Sequence, residues 1–164
     1  MSHRLTRTAR TGGSRHLLRA LGLCVAVWPG VHAQTLNNGA ALSFGAFTAG
    51  SGGTIQISSG GGRSKTGGVL LVTQGGSPAA AQFTVTGTPN AVFTISLPVD
   101  GTVLLSDGGG NTMALNSFVS SPNGVGTLSG GGSQLINVGA SLTVSNQQVS
   151  GAYSGSFSVT VNYQ

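Results

Sequence analysis

Short runs in which every second residue is apolar recur along this chain, and they constrain its fold class more than any other feature. Phe93-Thr94-Ile95-Ser96-Leu97, Thr54-Ile55-Gln56-Ile57-Ser58 and Phe83-Thr84-Val85 alternate strictly. Successive side chains of a β-strand point to opposite faces, so each run has one face for a core and one for water. The last run is the longest: Tyr153, Phe157, Val159, Val161 and Tyr163 share one parity, and Ser154, Ser156, Ser158, Thr160 and Asn162 share the other. Gly155 leaves one gap in its apolar row. Gly, Ser, Asn and Pro separate the runs, the punctuation of turns between strands. No window of about 11 residues carries apolar side chains at helical spacing. Glu is absent altogether, so no helix is expected beyond the first 33 residues.

The runs predict strands near 41–48, 54–58, 69–73, 81–86, 92–97, 102–106 and 113–119, followed by 134–138, 140–144 and 153–163. Many short strands at close, even spacing, each with one apolar face, point to an all-β fold, an immunoglobulin-like β-sandwich. A closed barrel is the second choice. A Gly-rich parallel solenoid ranks third, because no fixed repeat period is present.

The N-terminus differs in kind from the rest. Arg4, Arg7, Arg10, Arg15 and Arg19 precede an apolar run, Ala20 to Trp28, which Pro29 and Gly30 end. Val31-His32-Ala33 then has the small-residue form of a signal peptidase site. Residues 1–33 therefore read as a cleaved signal peptide and 34–164 as one exported domain, located from the periplasm to the cell surface. The apolar run is about half of the roughly 20 residues a bilayer span requires, so no membrane span is expected after cleavage.

Removing 1–33 changes the chemistry available. All three His, the single Cys, the single Trp and five of the seven basic residues lie in that segment. Arg63, Lys65, Asp100 and Asp107 remain, with no net charge, so the basic balance of the whole chain does not indicate nucleic acid. General acid/base and nucleophilic catalysis require a positioned base, usually His, or paired carboxylates. Asp100 and Asp107 each precede Gly, where Asp favours turns. A turn is thus expected at both, with no catalytic residue, cofactor or metal site. The stretch Gly60 to Gly67 has Ser64 before Lys65 where a phosphate loop has Gly, and is read as a basic loop tip.

Four segments together resemble the DUF4402 family: Leu42-Ser-Phe-Gly45, Phe83-Thr-Val-Thr-Gly87, Val138-Gly-Ala-Ser-Leu-Thr-Val144, and Gly151-Ala-Tyr-Ser-Gly-Ser-Phe-Ser-Val-Thr-Val-Asn-Tyr-Gln164. The resemblance covers nearly all of 41–164. That family is similar to chaperone-usher pilins and spore coat U-type subunits, in which a sandwich lacking one strand is completed by a strand from a partner. The likeness implies a non-enzymatic surface subunit, pilin-like or coat-like, that assembles by β-strand exchange. Implied partners are a periplasmic chaperone, an outer-membrane usher and further copies in a homo-polymer. The penultimate Tyr163 and the earlier Gly151 match the pilin pattern, and the implied partner-strand interface is Gly151, Tyr153, Phe157, Val159, Val161 and Tyr163. Leu36, Ala40, Leu42 and Phe44 share one parity and form the candidate donor segment. Leu42 and Phe44 equally suit the domain's own first strand. The alternative function is a self-contained secreted binding module, for example for polysaccharide, using loops 60–67 and 106–111.

Overall fold

A computed structural model describes residues 34–164; the expected signal peptide, 1–33, lies outside the described residues. In chain order the strands are β1 (Thr35–Ala40), β2 (Phe47–Thr48), β3 (Gly53–Ile57), β4 (Arg63–Gly67), β5 (Leu70–Leu71) and β6 (Ala81–Thr86). Then come β7 (Val92–Ser96), β8 (Val103–Ser106), β9 (Thr112–Ser121), β10 (Val125–Thr127), β11 (Ser133–Val144) and β12 (Thr160–Tyr163). No helix occurs among the described residues. The fold is all-β, a sandwich of antiparallel sheets.

The longest strand, β11, organises the larger sheet. Its inward row, Ile136, Val138, Ala140, Leu142 and Val144, is at most 3% exposed. Residues 133–138 pair with β6, and 140–144 pair with β3. β9 pairs with 137–142. Because residues 137, 138, 141 and 142 each have two partners, β6 and β3 lie end to end along one side of β11 and β9 along the other. β1 extends the sheet beyond β6, β4 beyond β3, and β8 beyond β9. A second sheet, β10-β7-β12, forms the facing layer, and β2 pairs with β5 in a two-stranded ribbon.

Two apolar clusters fill the interior. One joins Phe93 and Ile95 of the smaller sheet to Phe83, Val85, Ile136 and Val138 of the larger. The other gathers Ile55, Ile57, Val103, Met113, Leu115 and Leu142 with Phe44 and Val69, which lie outside the strands. Leu42, Phe118 and Phe157 touch both clusters and stitch them together. Phe157 sits edge-on to Phe83, with ring centroids 6.1 Å apart at 79°, and 5.4 Å from Phe118.

Four differences from the predicted strands have physical causes. First, 134–138 and 140–144 are one strand, because Gly139 is not a break but a close approach: a Cβ there would run into the Ile57 carbonyl oxygen. Opposite it, β9 absorbs the change of partner with a bulge, in which Gly139 pairs Val119 but Ser141 pairs Asn116. Ser117, inside that bulge, has φ 49°. Second, the final run is a regular strand only over 160–163. Its earlier part crosses between sheets, touching β8 through the Ser106–Ser154 bridge before β12 joins β7. Third, the expected strand 41–48 is regular only at 47–48, with Ser43 bridged to Ala79. Fourth, β1, β4 and β10 were not expected; Thr35–Ala40 and Arg63–Gly67 are largely polar and exposed, which removes the alternation that signals a strand.

Gly139→Ala is expected to lower the thermal midpoint clearly, because neither backbone can recede without breaking the β11–β3 ladder. Melting of a chain of residues 34–164 followed by circular dichroism checks this.

Candidate functional site

The smaller sheet and the ribbon leave part of the larger sheet's inner face uncovered by any regular strand, and a groove of about 870 Å³ opens there. Phe83, Leu105, Met113, Leu115 and Leu142, from β6, β8, β9 and β11, line its floor. One wall is the stretch from Ala40 to Ala49, and the other runs from Gln148 to Phe157. Among the described residues, no Asp, Glu, Lys, Arg or His lines it.

The two walls coincide with two segments singled out in the sequence. Ala40, Leu42 and Phe44 of the candidate donor segment lie on the first wall, and Gly151, Tyr153 and Phe157 of the candidate interface lie on the second. Leu36 stands outside the groove on β1, 37% exposed. Val159, Val161 and Tyr163 continue past the groove and pack on the cluster beneath the smaller sheet. The inward parity of the last run is kept throughout: Val159 is 9% exposed, Tyr153, Phe157, Val161 and Tyr163 are half-buried, and the intervening Ser, Thr and Asn residues are exposed.

Part of the main chain of each wall lacks a backbone partner among the described residues. Ser43 exchanges both of its backbone bonds with Ala79, at 2.9 Å each. Ser154 does the same with Ser106, at 2.9 and 2.8 Å. Alternate residues of an extended chain direct their N–H and C=O groups to opposite edges, so the groups of Leu42, Phe44, Tyr153 and Gly155 face away from those partners. None of the four has a backbone partner among the described residues. Gly155 is required on its wall, since a Cβ would lie 2.7 Å from the Leu104 carbonyl oxygen.

Polar contacts hold the walls in place. The Tyr153 hydroxyl donates to the Val149 carbonyl at 2.8 Å and accepts from Gln148 Nε2 at 2.9 Å. Arg63 Nη2 donates to the Ala46 carbonyl at 2.7 Å, and Nη1 reaches the Val72 carbonyl at 3.4 Å. Burial lowers the Arg63 pKa. Lys65 Nζ donates to the Val69 carbonyl at 2.5 Å. Sequence reasoning placed both cations at a loop tip; they lie on β4 instead, and Arg63 braces the first wall. Nothing in the one-dimensional pattern signals this, because Ala46 and Val72 are main-chain acceptors.

The two carboxylates are also committed to local structure. Asp100 Oδ1 accepts from the Ser117 amide at 2.6 Å, holding the bulged residue. Asp107 Oδ1 accepts from the Gly109 and Asn111 amides at 2.7 and 3.1 Å, and Oδ2 accepts from Asn111 Nδ2 at 2.6 Å. Those bonds, the Asn111 side chain first, hold the Asp107 pKa below its ordinary value. Each of the four charged side chains is thus held by main-chain or amide groups, and no two of them form an ion pair among the described residues. That region also contains no cluster of metal-ligating side chains.

A family model described as a domain of unknown function, DUF4402, matches residues 35–163. The chain belongs to the DUF4402 family. No curated protein and no solved structure matches it. In this DUF4402 domain the match takes in both groove walls and every strand.

At the far end of the last run, the Tyr163 hydroxyl donates to the Thr86 carbonyl at 3.0 Å, linking β12 to β6. Burial raises the Tyr163 pKa, so the stability it contributes is complete below the ordinary tyrosine range and is lost as pH rises through the raised value. Tyr163→Phe is expected to cost about 1 kcal/mol in urea unfolding at neutral pH and to flatten the alkaline fall in stability. Asp107 behaves in the opposite sense: its contribution is complete above the ordinary carboxylate range and is lost as pH falls through the depressed value. Protection of the Gly109 and Asn111 amides, taken relative to their intrinsic exchange rates at each pH, is expected to fall in that acid window in the native chain, and to show no such step in Asp107→Ala.

Proposed function

We propose that this DUF4402 domain is an exported, non-enzymatic structural subunit of the cell surface, pilin-like or coat-like, that joins its assembly by accepting a β-strand. The observation that supports this most is the groove between residues 40–49 and 148–157. Among the described residues, its floor is apolar, its lining is uncharged, and both walls carry main-chain groups without a backbone partner.

That combination suits a strand better than a compact ligand. A peptide laid between the walls hydrogen-bonds to both edges through its backbone and sends alternate side chains toward the floor. A small-molecule site usually carries a few convergent polar side chains that fix orientation; here the floor residues Phe83, Leu105, Met113, Leu115 and Leu142 supply none, and the wall's Gln148 and Tyr153 are bonded to each other. A sandwich layer completed from outside also accounts for export without disulfides: the stability that cross-links give small secreted domains is supplied by the added strand. A periplasmic chaperone, an outer-membrane usher and further subunits are the partner classes such assembly would use. Residues 60–67, of which 63–67 form β4, and the loop at 106–111 contain no aromatic side chain, which leaves the polysaccharide-binding alternative with less support.

The test is the state of the exported protein. The chain is expressed with its own N-terminal segment in a Gram-negative host together with its neighbouring genes, and envelope fractions are run on denaturing gels with and without boiling. Bands above the monomer that collapse on boiling are expected. Monomer alone in every fraction, with no co-purifying envelope protein, would sink the proposal.

A further inference from the structure

Resting on the strand-accepting reading above, we infer that the groove is filled by an extended segment of a different protein, one with bulky apolar residues at three or more alternate positions, and not by the N-terminal segment of a second copy. This chain is an acceptor without a matching donor.

The groove sets the requirement. The stretch 152–157 of the second wall has no bend and spans about 20 Å at 3.3 Å per residue, so a strand laid along it sends about three side chains toward the floor. Met113, Leu115 and Leu142 at the base are already covered, but Leu42, Leu105, Tyr153 and Phe157 around the groove are large, apolar and only half-buried, and so leave apolar surface for an occupant to cover. An occupant that leaves gaps over such a floor forfeits the packing that would hold it.

The chain's own leading segment does not meet that requirement. Once 1–33 is removed, the segment ahead of the first wall is Gln34 to Gly39. In one parity it brings Leu36, Asn38 and Ala40; in the other, Thr35, Asn37, Gly39 and Ala41. Neither row holds more than one bulky apolar side chain. Leu42 and Phe44 would improve the first row, but Phe44 is 8% exposed in its own core, Leu42 packs on both clusters, and both form the wall of the acceptor groove itself. A copy that donated 42–44 would dismantle its own groove, so growth by identical copies would end at each step.

The leading segment also has another place. β1 is paired with β6 over Thr35 to Ala40, and the Thr35 and Thr86 hydroxyls are 2.6 Å apart. Its residues are almost all exposed, as on a strand that covers a sheet edge and not a core. The uncharged lining narrows the occupant further, since a charged inward side chain would be buried with no partner.

Peptide binding to the processed chain, purified from the periplasm of an exporting host, separates these cases. Two labelled 11-residue peptides are compared by fluorescence anisotropy: one with the sequence of residues 34–44, the other with Ile, Val or Phe at four alternate positions and Ser, Thr or Asn between them. A third carries the second sequence with N-methyl groups at alternate amides. The alternating peptide is expected to bind at least 10-fold more tightly than the native segment, and the N-methylated form is expected to lose that advantage. Equal or tighter binding of the 34–44 peptide overturns the inference while leaving strand acceptance standing. No binding by either unmodified peptide, or undiminished binding after N-methylation, overturns both.

Discussion

The larger sheet presents more apolar inner face than the smaller sheet can cover, and the rest of the architecture answers that mismatch. β11 runs 12 residues, with five inward side chains from Ile136 to Val144. β7, the centre of the facing sheet, has only five residues. One half of the inner face is therefore covered by a regular layer, and the other by chain that crosses, bends and bridges: residues 42–49, the short ribbon, and 153–157. Irregular chain shields side chains adequately but leaves main-chain groups without partners. This is why the same region is both well packed at its floor and open at its walls.

The composition left after residue 33 excludes much and enables one thing. With no His, Cys or Glu, and with both carboxylates and both cations spent on amides and carbonyls, the domain has little side-chain chemistry to offer a substrate. It does offer backbone. Strand addition, the assembly mode proposed above, would use groups that every residue carries, so specificity would fall to which side chains of the incoming segment fit the groove. Under the proposed strand-accepting role, the pairing of an accommodating groove with a poor leading segment follows the same logic: what such a subunit would accept and what it would donate are set by separate stretches and need not match.

Most of the fold was legible because alternation and glycine punctuation are local. β6 was bounded correctly at both ends, the last run showed its inward parity, and Asp100 and Asp107 read as turn formers. What escaped was decided by partners distant in sequence. Gly139 looks like a break until the Ile57 carbonyl is placed against it. The final run looks continuous until β8 and β7 each claim one end. β1 and β4 are polar because each lies at a sheet edge, where exposure, not burial, selects the side chains. The groove could be suspected from a resemblance but not located, since its walls come from opposite ends of the domain.

The way the four charged side chains are used carries a consequence for the medium this surface would meet. Attraction between exposed ions fades as dissolved salt shortens the reach of their fields, whereas the exclusion of water from oily surfaces is not screened and is strengthened by salting-out ions. A coat or filament joined in this manner would not loosen in brine as one held by ion pairs would.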